Sequence, residues 1–434
     1  MKAPMNQSAP SLFVVLPFFL TGALIFLGVA VFLFLHTEAL TGHYFQWSIL
    51  TLVHACAIGW GTMLIFGSVY QLLPVINGRP LYSNGLAYST FICLFIGLLS
   101  LLVGFYWTAV HTWLILGGSL ILLAFILYSV NVFKTSFPSN FQSMEKLFLM
   151  SASIWLIFTA LLGLALAINL AHPFVRISHL EYLKIHAHLG LGGWFLQLIT
   201  GISIKLIPMF ALGKSEKQTW LVWAFYLQNL GLLGFFIDGL FFGISPSILI
   251  YWGLILWGTL AWLAYLWDAF KNRLRRKLDM PLQHTYLSSV LLLFGFICIP
   301  LIYFLQDVGL IAVYGIFLFL GWISVLILGM TFKTLPFIVW NTKYKGIHGK
   351  IQIPLPKQLY KTELVNIQYW ACVFALIFMG MGLLMNLGIL VKIGSLAWLL
   401  VAVLYVINVF LICGHKPQDI NGNFIKRPLF QGKE

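Results

Sequence analysis

The stretch HACAIGWGTMLIFGSVYQLLP, residues 54–74, is written a second time as HLGLGGWFLQLITGISIKLIP, residues 188–208. Histidine opens both, a Gly-Trp pair follows at the same offset, and proline closes both. A third stretch aligns on the same landmarks: Gly321-Trp322, Gly329, Lys333 and Pro336 repeat the spacing of Gly59-Trp60, Gly67, Gln71 and Pro74, and of Gly193-Trp194, Gly201, Lys205 and Pro208. The shared pattern is G-W-x6-G-x3-[QK]-x2-P. Self-similarity at a long period marks duplicated units that bury their apolar faces on one another.

The surroundings of these stretches decide the class of protein. Of 434 residues, 61% are hydrophobic and 8% charged, a composition that no water-soluble globule of this size can fold around. Apolar runs long enough to cross a hydrocarbon core of about 30 Å fall at 12–34, 47–72, 85–107, 112–133, 147–168, 185–207, 219–242, 247–269, 285–305, 310–334, 366–387 and 392–413. The expectation is an all-α polytopic membrane protein, residues 1–434 forming one integral-membrane domain. Its twelve transmembrane helices divide into three pseudo-symmetric four-helix arcs, at about 12–133, 147–269 and 285–413, and the repeated stretch is the second helix of each. The glycines suit close helix packing, and the prolines are expected to end each of these helices.

Basic residues set the expected orientation. With the N-terminus cytoplasmic, the inner connections hold Arg79, Lys134, Lys146, Lys214, Lys217, the run KNRLRRK at 271–277, Lys343, Lys345, Lys350, Lys357, Lys361, Lys416, Lys426 and Arg427. The outer ones hold only Arg176, Lys184 and Lys392. Both termini are placed in the cytoplasm. The net charge of +14 is then a topology signal facing the lipid bilayer, and nucleic acid is excluded as a partner. The first apolar run is followed by HTEALTGHYF, which is no cleavage site, and reads as a retained span. Cys56, Cys93, Cys298, Cys372 and Cys413 form no CxxC or CxxCH motif and read as packing residues.

A histidine inside a span is costly and marks a ligand, a proton path or a paired polar site. His54 and His188 incur that cost at equivalent positions, whereas the third copy has Ile316. Equivalent positions on opposed helices can face one volume, and a bis-histidine haem needs two opposed imidazoles. The first expectation is therefore an axial pair of His54 and His188. His186 precedes His188 by two residues, a spacing that turns it by about 200° around the helix toward a different compartment. His111 and His179 lie toward the same outer side and are weaker metal-site candidates. Asp238 and Glu181 could hold a ligand histidine's second nitrogen, and Lys184, Arg176 and Lys392 are the outer cations available to haem propionates.

At this level the chain resembles the haem-copper oxidase subunit I superfamily, over essentially its whole length. It is similar in HAHLGLGGWFLQLITGISIKLIPMF and VHACAIGWGTMLIFGSVYQLLPV to a divergent oxidase subunit I-like branch. More distantly, it resembles the NnrS family of haem- and copper-containing membrane proteins linked to nitric oxide stress. The resemblance implies a bacterial cytoplasmic membrane, haem b as cofactor with copper as a second candidate, and an electron donor such as quinol or a cytochrome. The superfamily's second-helix histidine, a low-spin haem ligand, corresponds to His54, and its sixth-helix copper-site histidine to the region of His186 and His188. Its seventh-helix His-His pair has no counterpart in TWLVWAFYLQNLGLLGFFIDG. Its tenth-helix HxH has none in YGIFLFLGWISVLILGMTFKTLP. The implied function is a haem-binding membrane protein, redox-active or responsive to nitric oxide or oxygen, without the usual binuclear centre. An active terminal oxidase or nitric oxide reductase with an unusual site, and a copper, haem or small-solute transporter on the same scaffold, are the competing readings.

Overall fold

The structure is a computed structural model, and it describes residues 10–137, 143–175, 177–274, 277–346, 351–420 and 422–425. Arg176, Arg275, Arg276, Lys350, Lys426 and Arg427, all named above, lie outside the described residues. The described chain is all-helical, with no strand beyond an isolated bridge between Gln418 and Phe424. Among the described residues, twelve helices are long and apolar enough to cross a membrane. They are α1 Leu12–Leu35, α2 Trp47–Asn77, α3 Asn84–Tyr106, α4 Val110–Ser136, α5 Met144–Ala171, α6 His179–Ala211, α7 Gln218–Phe242, α8 Ile248–Lys271, α9 Met280–Leu305, α10 Val308–Tyr344, α11 Thr362–Leu384 and α12 Gly388–Gly414. Large apolar side chains such as Ile250, Trp257, Ile297, Trp370 and Phe374 stay exposed on the exterior, as a lipid-facing surface requires.

The expected prolines do not end their helices. Pro74, Pro208 and Pro336 lie inside α2, α6 and α10, which continue to Asn77, Ala211 and Tyr344. Proline's fixed φ is compatible with a helix; it removes one hydrogen bond and leaves the chain free to carry on.

The three repeated helices form the interior. Two-thirds of the spanning window of α2 and of α6, and half of that of α10, is buried, against at most 44% in any other span. Their glycines are contact points for the first helix of each four-helix unit. A Cβ on Gly59, Gly193 or Gly321 would come within 2.7 Å of Ile25, 2.6 Å of Trp155 and 3.2 Å of Leu291, respectively. One on Gly67, Gly201 or Gly329 would come within 2.8 Å of Phe18, 2.7 Å of Phe148 and 2.7 Å of His284. The same two registers are thus used in all three units, and His284 stands where the other units have phenylalanine.

The repeat also dictates an unusual backbone. Around each Gly-Trp pair the helix widens into a π turn, at Ala55–Thr62, Leu189–Leu196 and Phe317–Ser324. All three begin five residues before the tryptophan and end two residues after it. In the first and third turns the closing residue carries a hydroxyl that receives an indole from a neighbouring unit. Trp60 Nε1 donates to Ser324 Oγ at 2.9 Å and Trp194 Nε1 to Thr62 Oγ1 at 3.0 Å. The corresponding position in the second turn is Leu196, which can accept nothing. Buried indoles need such partners, so two of three possible bonds tie α2 to α10 and α6 to α2.

The outer packing breaks the three-fold pattern at one seam. Helices α4 and α5, and likewise α12 and α1, pack closely, whereas α8 and α9 touch only sparsely. Pro300 lies within α9 and has no N–H to give Phe296, four residues earlier. Trp252 Nε1 of α8 supplies that bond instead, donating to the Phe296 carbonyl at 3.0 Å across the seam.

Candidate functional site

His54 sits at the end of the α-helical first part of α2, immediately before its π turn, and His188 holds the same place in α6. Both are half-buried, as is His186. In each case Nδ1 is bonded to a backbone carbonyl: His54 to Leu50 at 2.8 Å, His186 to Thr159 at 2.9 Å and His188 to Lys184 at 2.8 Å. A carbonyl only accepts, so Nδ1 carries the proton and donates it. Nε2 of each neutral ring is left with a free lone pair, the arrangement that fixes a metal-ligating histidine.

The structure pairs these rings differently from the expectation. His54 faces His186, with ring centroids 6.2 Å apart and planes within 16°. His188 instead faces Tyr314 of α10, at 6.0 Å and 20°, with Phe235 of α7 at 5.8 Å. The reason lies in the repeat. His54 and His188 both stand six residues before their tryptophan, so the rotation that relates α2 to α6 also turns their side chains into different compartments. His186, on the opposite side of α6 from His188, points back toward α2.

The position eight residues before tryptophan is His186 in α6, Tyr314 in α10 and Leu52 in α2. The two registers therefore combine His54 with His186 between α2 and α6, and His188 with Tyr314 between α6 and α10. Between α10 and α2 they supply only Ile316 and Leu52. The repeat specifies three equivalent sites, and side-chain chemistry grades them from two imidazoles, through imidazole and phenol, to none.

The His54–His186 site is shaped by its neighbours. Phe105 of α3 lies against the His54 ring at 4.7 Å. Gly163 of α5 makes room for His186, since a Cβ there would lie 2.7 Å from its Cε1. Phe105, Thr159, Gly163 and Tyr314 escaped the sequence reading. Tyr314 could have been found by extending the repeat alignment two residues beyond the histidine position.

The other candidates are placed as follows. Lys184 is held by Glu181 at 2.6 Å, and the second oxygen of Glu181 accepts from Ile244 N at 2.7 Å. Asp238 accepts from Ser245 and Ser247. Both carboxylates thus fasten the loop between α7 and α8, and among the described residues neither bonds to His54, His186 or His188. Lys392 donates to the Phe34 carbonyl and lies over the Phe34 ring. His179 Nδ1 meets the Asn169 amide at 3.1 Å, and that asparagine's oxygen clamps Phe174 N and Val175 N. His179 is a loop fastener. His111 is exposed, its ring 5.7 Å from that of His172. Of the proposed propionate partners, Lys184 and Lys392 are already engaged by protein groups. Arg176 lies outside the described residues.

No group of three or more His, Cys, Asp or Glu side chains among the described residues could hold a metal ion. The donor set between α2 and α6 is two imidazoles. An ion bonded to both Nε2 atoms at about 2 Å each would set the ring centroids roughly 6 Å apart, which is the separation found. Compared with protein-family models and with curated proteins, the chain matches none of either.

Proposed function

We propose that the chain is a membrane haem protein of the haem-copper oxidase subunit I-like type, in which His54 and His186 would hold a haem b. The observation that carries this reading is the opposed pair: near-parallel imidazoles 6.2 Å apart, each with Nδ1 committed to a backbone carbonyl. A group that brings four equatorial nitrogens of its own needs two protein donors and no more, which suits this site better than a bare copper ion. Held by the two imidazoles, haem would supply one-electron redox chemistry.

The residues of the chain have separate tasks in this reading. Leu50 and Thr159 carbonyls hold the two rings in one tautomer. Gly163 seats the His186 ring, and Phe105 covers that of His54, keeping water from the ring face. The arrangement favours electron transfer or sensing over oxygen reduction, because substrate binding at iron needs an open position. The excess of basic residues on the face bearing both termini supports a cytoplasmic location for that face, with the histidines toward the other.

The test is a comparison of single variants at matched haem loading by optical and paramagnetic resonance spectra. His54→Ala and His186→Ala should each abolish the six-coordinate low-spin signal, and His188→Ala should preserve it. Low-spin ligation that survives His186→Ala would refute the pairing, and an absence of haem in the wild-type protein would refute the function.

A further inference from the structure

Two lysines flank the sparse seam between α8 and α9 on the face that bears both chain termini. Lys271 is the last residue of α8, and Lys277 stands three residues before Met280, the first of α9. Both belong to the run KNRLRRK, in which five of seven residues are basic. Arg275 and Arg276 of that run lie outside the described residues, and the site is built without them.

The chain after Lys271 is fastened, and its charges are unevenly answered. Leu274 N donates to the Leu212 carbonyl at 3.0 Å, Asn272 Nδ2 to the Lys214 carbonyl at 3.4 Å and Arg273 Nη1 to the Phe270 carbonyl at 2.9 Å. The neighbouring carboxylates are both taken: Asp268 by Lys217 at 3.1 Å and by Ser215 at 2.7 Å, Asp279 by Lys333. Lys271 Nζ lies 5.8 Å from the centroid of the Trp267 ring. Among the described residues neither Lys271 nor Lys277 forms an ion pair, and both are exposed. Two large apolar side chains stand beside them, Trp267 at 52% and Leu274 at 84% exposure.

An occupant must therefore be anionic where it meets Lys271 and Lys277, apolar where it covers Trp267 and Leu274, and slender enough for a seam that direct helix packing closes at the other two unit boundaries. We propose that the seam binds an anionic phospholipid, its phosphate held between Lys271 and Lys277 and one acyl chain lying between α8 and α9. Basic residues at the end of a spanning helix attract anionic headgroups. A zwitterionic lipid carries its own cation beside the phosphate and answers the two lysines less well. The lysine stems can run along apolar surface while the ammonium groups reach the headgroup level. The proposal does not depend on haem ligation by His54 and His186.

The test is native mass spectrometry of the full chain in detergent, titrated with phosphatidylglycerol and with phosphatidylcholine of the same acyl chains. Wild type should bind its first phosphatidylglycerol about tenfold more tightly than its first phosphatidylcholine. Glycerol 3-phosphate, which has the phosphate without the chains, should bind roughly a hundredfold more weakly than phosphatidylglycerol. Lys271→Gln combined with Lys277→Gln should abolish the preference and leave the affinity for phosphatidylcholine unchanged. Lys357→Gln combined with Lys361→Gln, at two other exposed lysines, changes the net charge equally and should leave the preference intact. Equal affinity of wild type for the two lipids would overturn the proposal without recourse to any variant. So would a preference that survives the Lys271 and Lys277 changes, an equal loss from the Lys357 and Lys361 changes, or glycerol 3-phosphate binding as tightly as the lipid.

Discussion

Gly163→Ala adds one methyl group, leaves both imidazoles in place, and tests the proposed haem site through its geometry. The new Cβ would stand 2.7 Å from His186 Cε1, 3.2 Å from Nδ1 and 3.5 Å from Nε2, whereas ordinary contact begins near 3.4 Å. The ring must therefore yield by about 0.7 Å at its closest atom. A shift of that size away from α5 lengthens the 2.9 Å bond from His186 Nδ1 to the Thr159 carbonyl beyond hydrogen-bonding range. Overpacking of this kind costs about 1–3 kcal/mol and the lost bond about 1 kcal/mol more. Where the ring is also an axial ligand, the displacement should weaken haem binding by roughly tenfold to a hundredfold, since each 1.4 kcal/mol is a factor of ten. The assay is haem titration of the apoprotein with the low-spin fraction read from its spectrum. Gly190→Ala on α6 is the matched control, because its Cβ would meet Thr159 Cγ2 at an ordinary 3.4 Å. Haem affinity and spin state identical in Gly163→Ala and wild type would refute the role given to His186.

The indole bond between α2 and α10 should be worth measuring by a double-mutant cycle. Ser324→Ala removes the acceptor of Trp60 and also a 2.7 Å bond to the Phe319 carbonyl within the π turn, and should cost about 1–3 kcal/mol. Added to Trp60→Phe it should cost much less than alone, and full additivity in denaturation would show that the two residues are not coupled. At the C-terminus, Gln418 N donates to the Tyr344 hydroxyl at 3.0 Å, so that hydroxyl must donate its proton to His415 Nε2 at 2.6 Å. Burial first, and the Lys343 charge second, hold His415 below its ordinary 6.5. Neutral His415 is the accepting form, so this lock is fully present above pH 6.5 and is lost as pH falls through the lowered value. Hydrogen exchange at residues 416–420 should accelerate over that acid range in wild type and be fast and pH-independent of this step in Tyr344→Phe. A reporter fused after Glu434 should read as cytoplasmic, and an external signal would reverse the orientation.

Much of the architecture was legible in the chain. Twelve spans follow from apolar runs, because lipid offers the backbone no hydrogen-bond partner and only helices of sufficient length satisfy themselves there. The structure extends several of them, α6 back to His179 and α10 on to Tyr344, since polar residues and a proline can be carried in the end turns of a helix already formed. The three-fold repeat was equally plain, and so was the cost of His54, His186 and His188 within spans. The π turns at Ala55–Thr62, Leu189–Leu196 and Phe317–Ser324 were not read, although the repeat register that contains them was in view.

Alignment along the chain tells which residues are equivalent; which residues meet depends on how the helices pack. Alignment made His54 and His188 counterparts, and for that reason they cannot share a site: the rotation relating α2 to α6 sends them into successive compartments. Partners must come from different registers, six residues before one tryptophan and eight before the next, and that offset is a property of how three helices stand around a centre. The same holds for the indole bonds, whose donors and acceptors lie 264 and 132 residues apart, and for the open seam between α8 and α9. Periodicity along a chain reports the face of a helix. The neighbour of that face is set by packing among helices far apart in sequence.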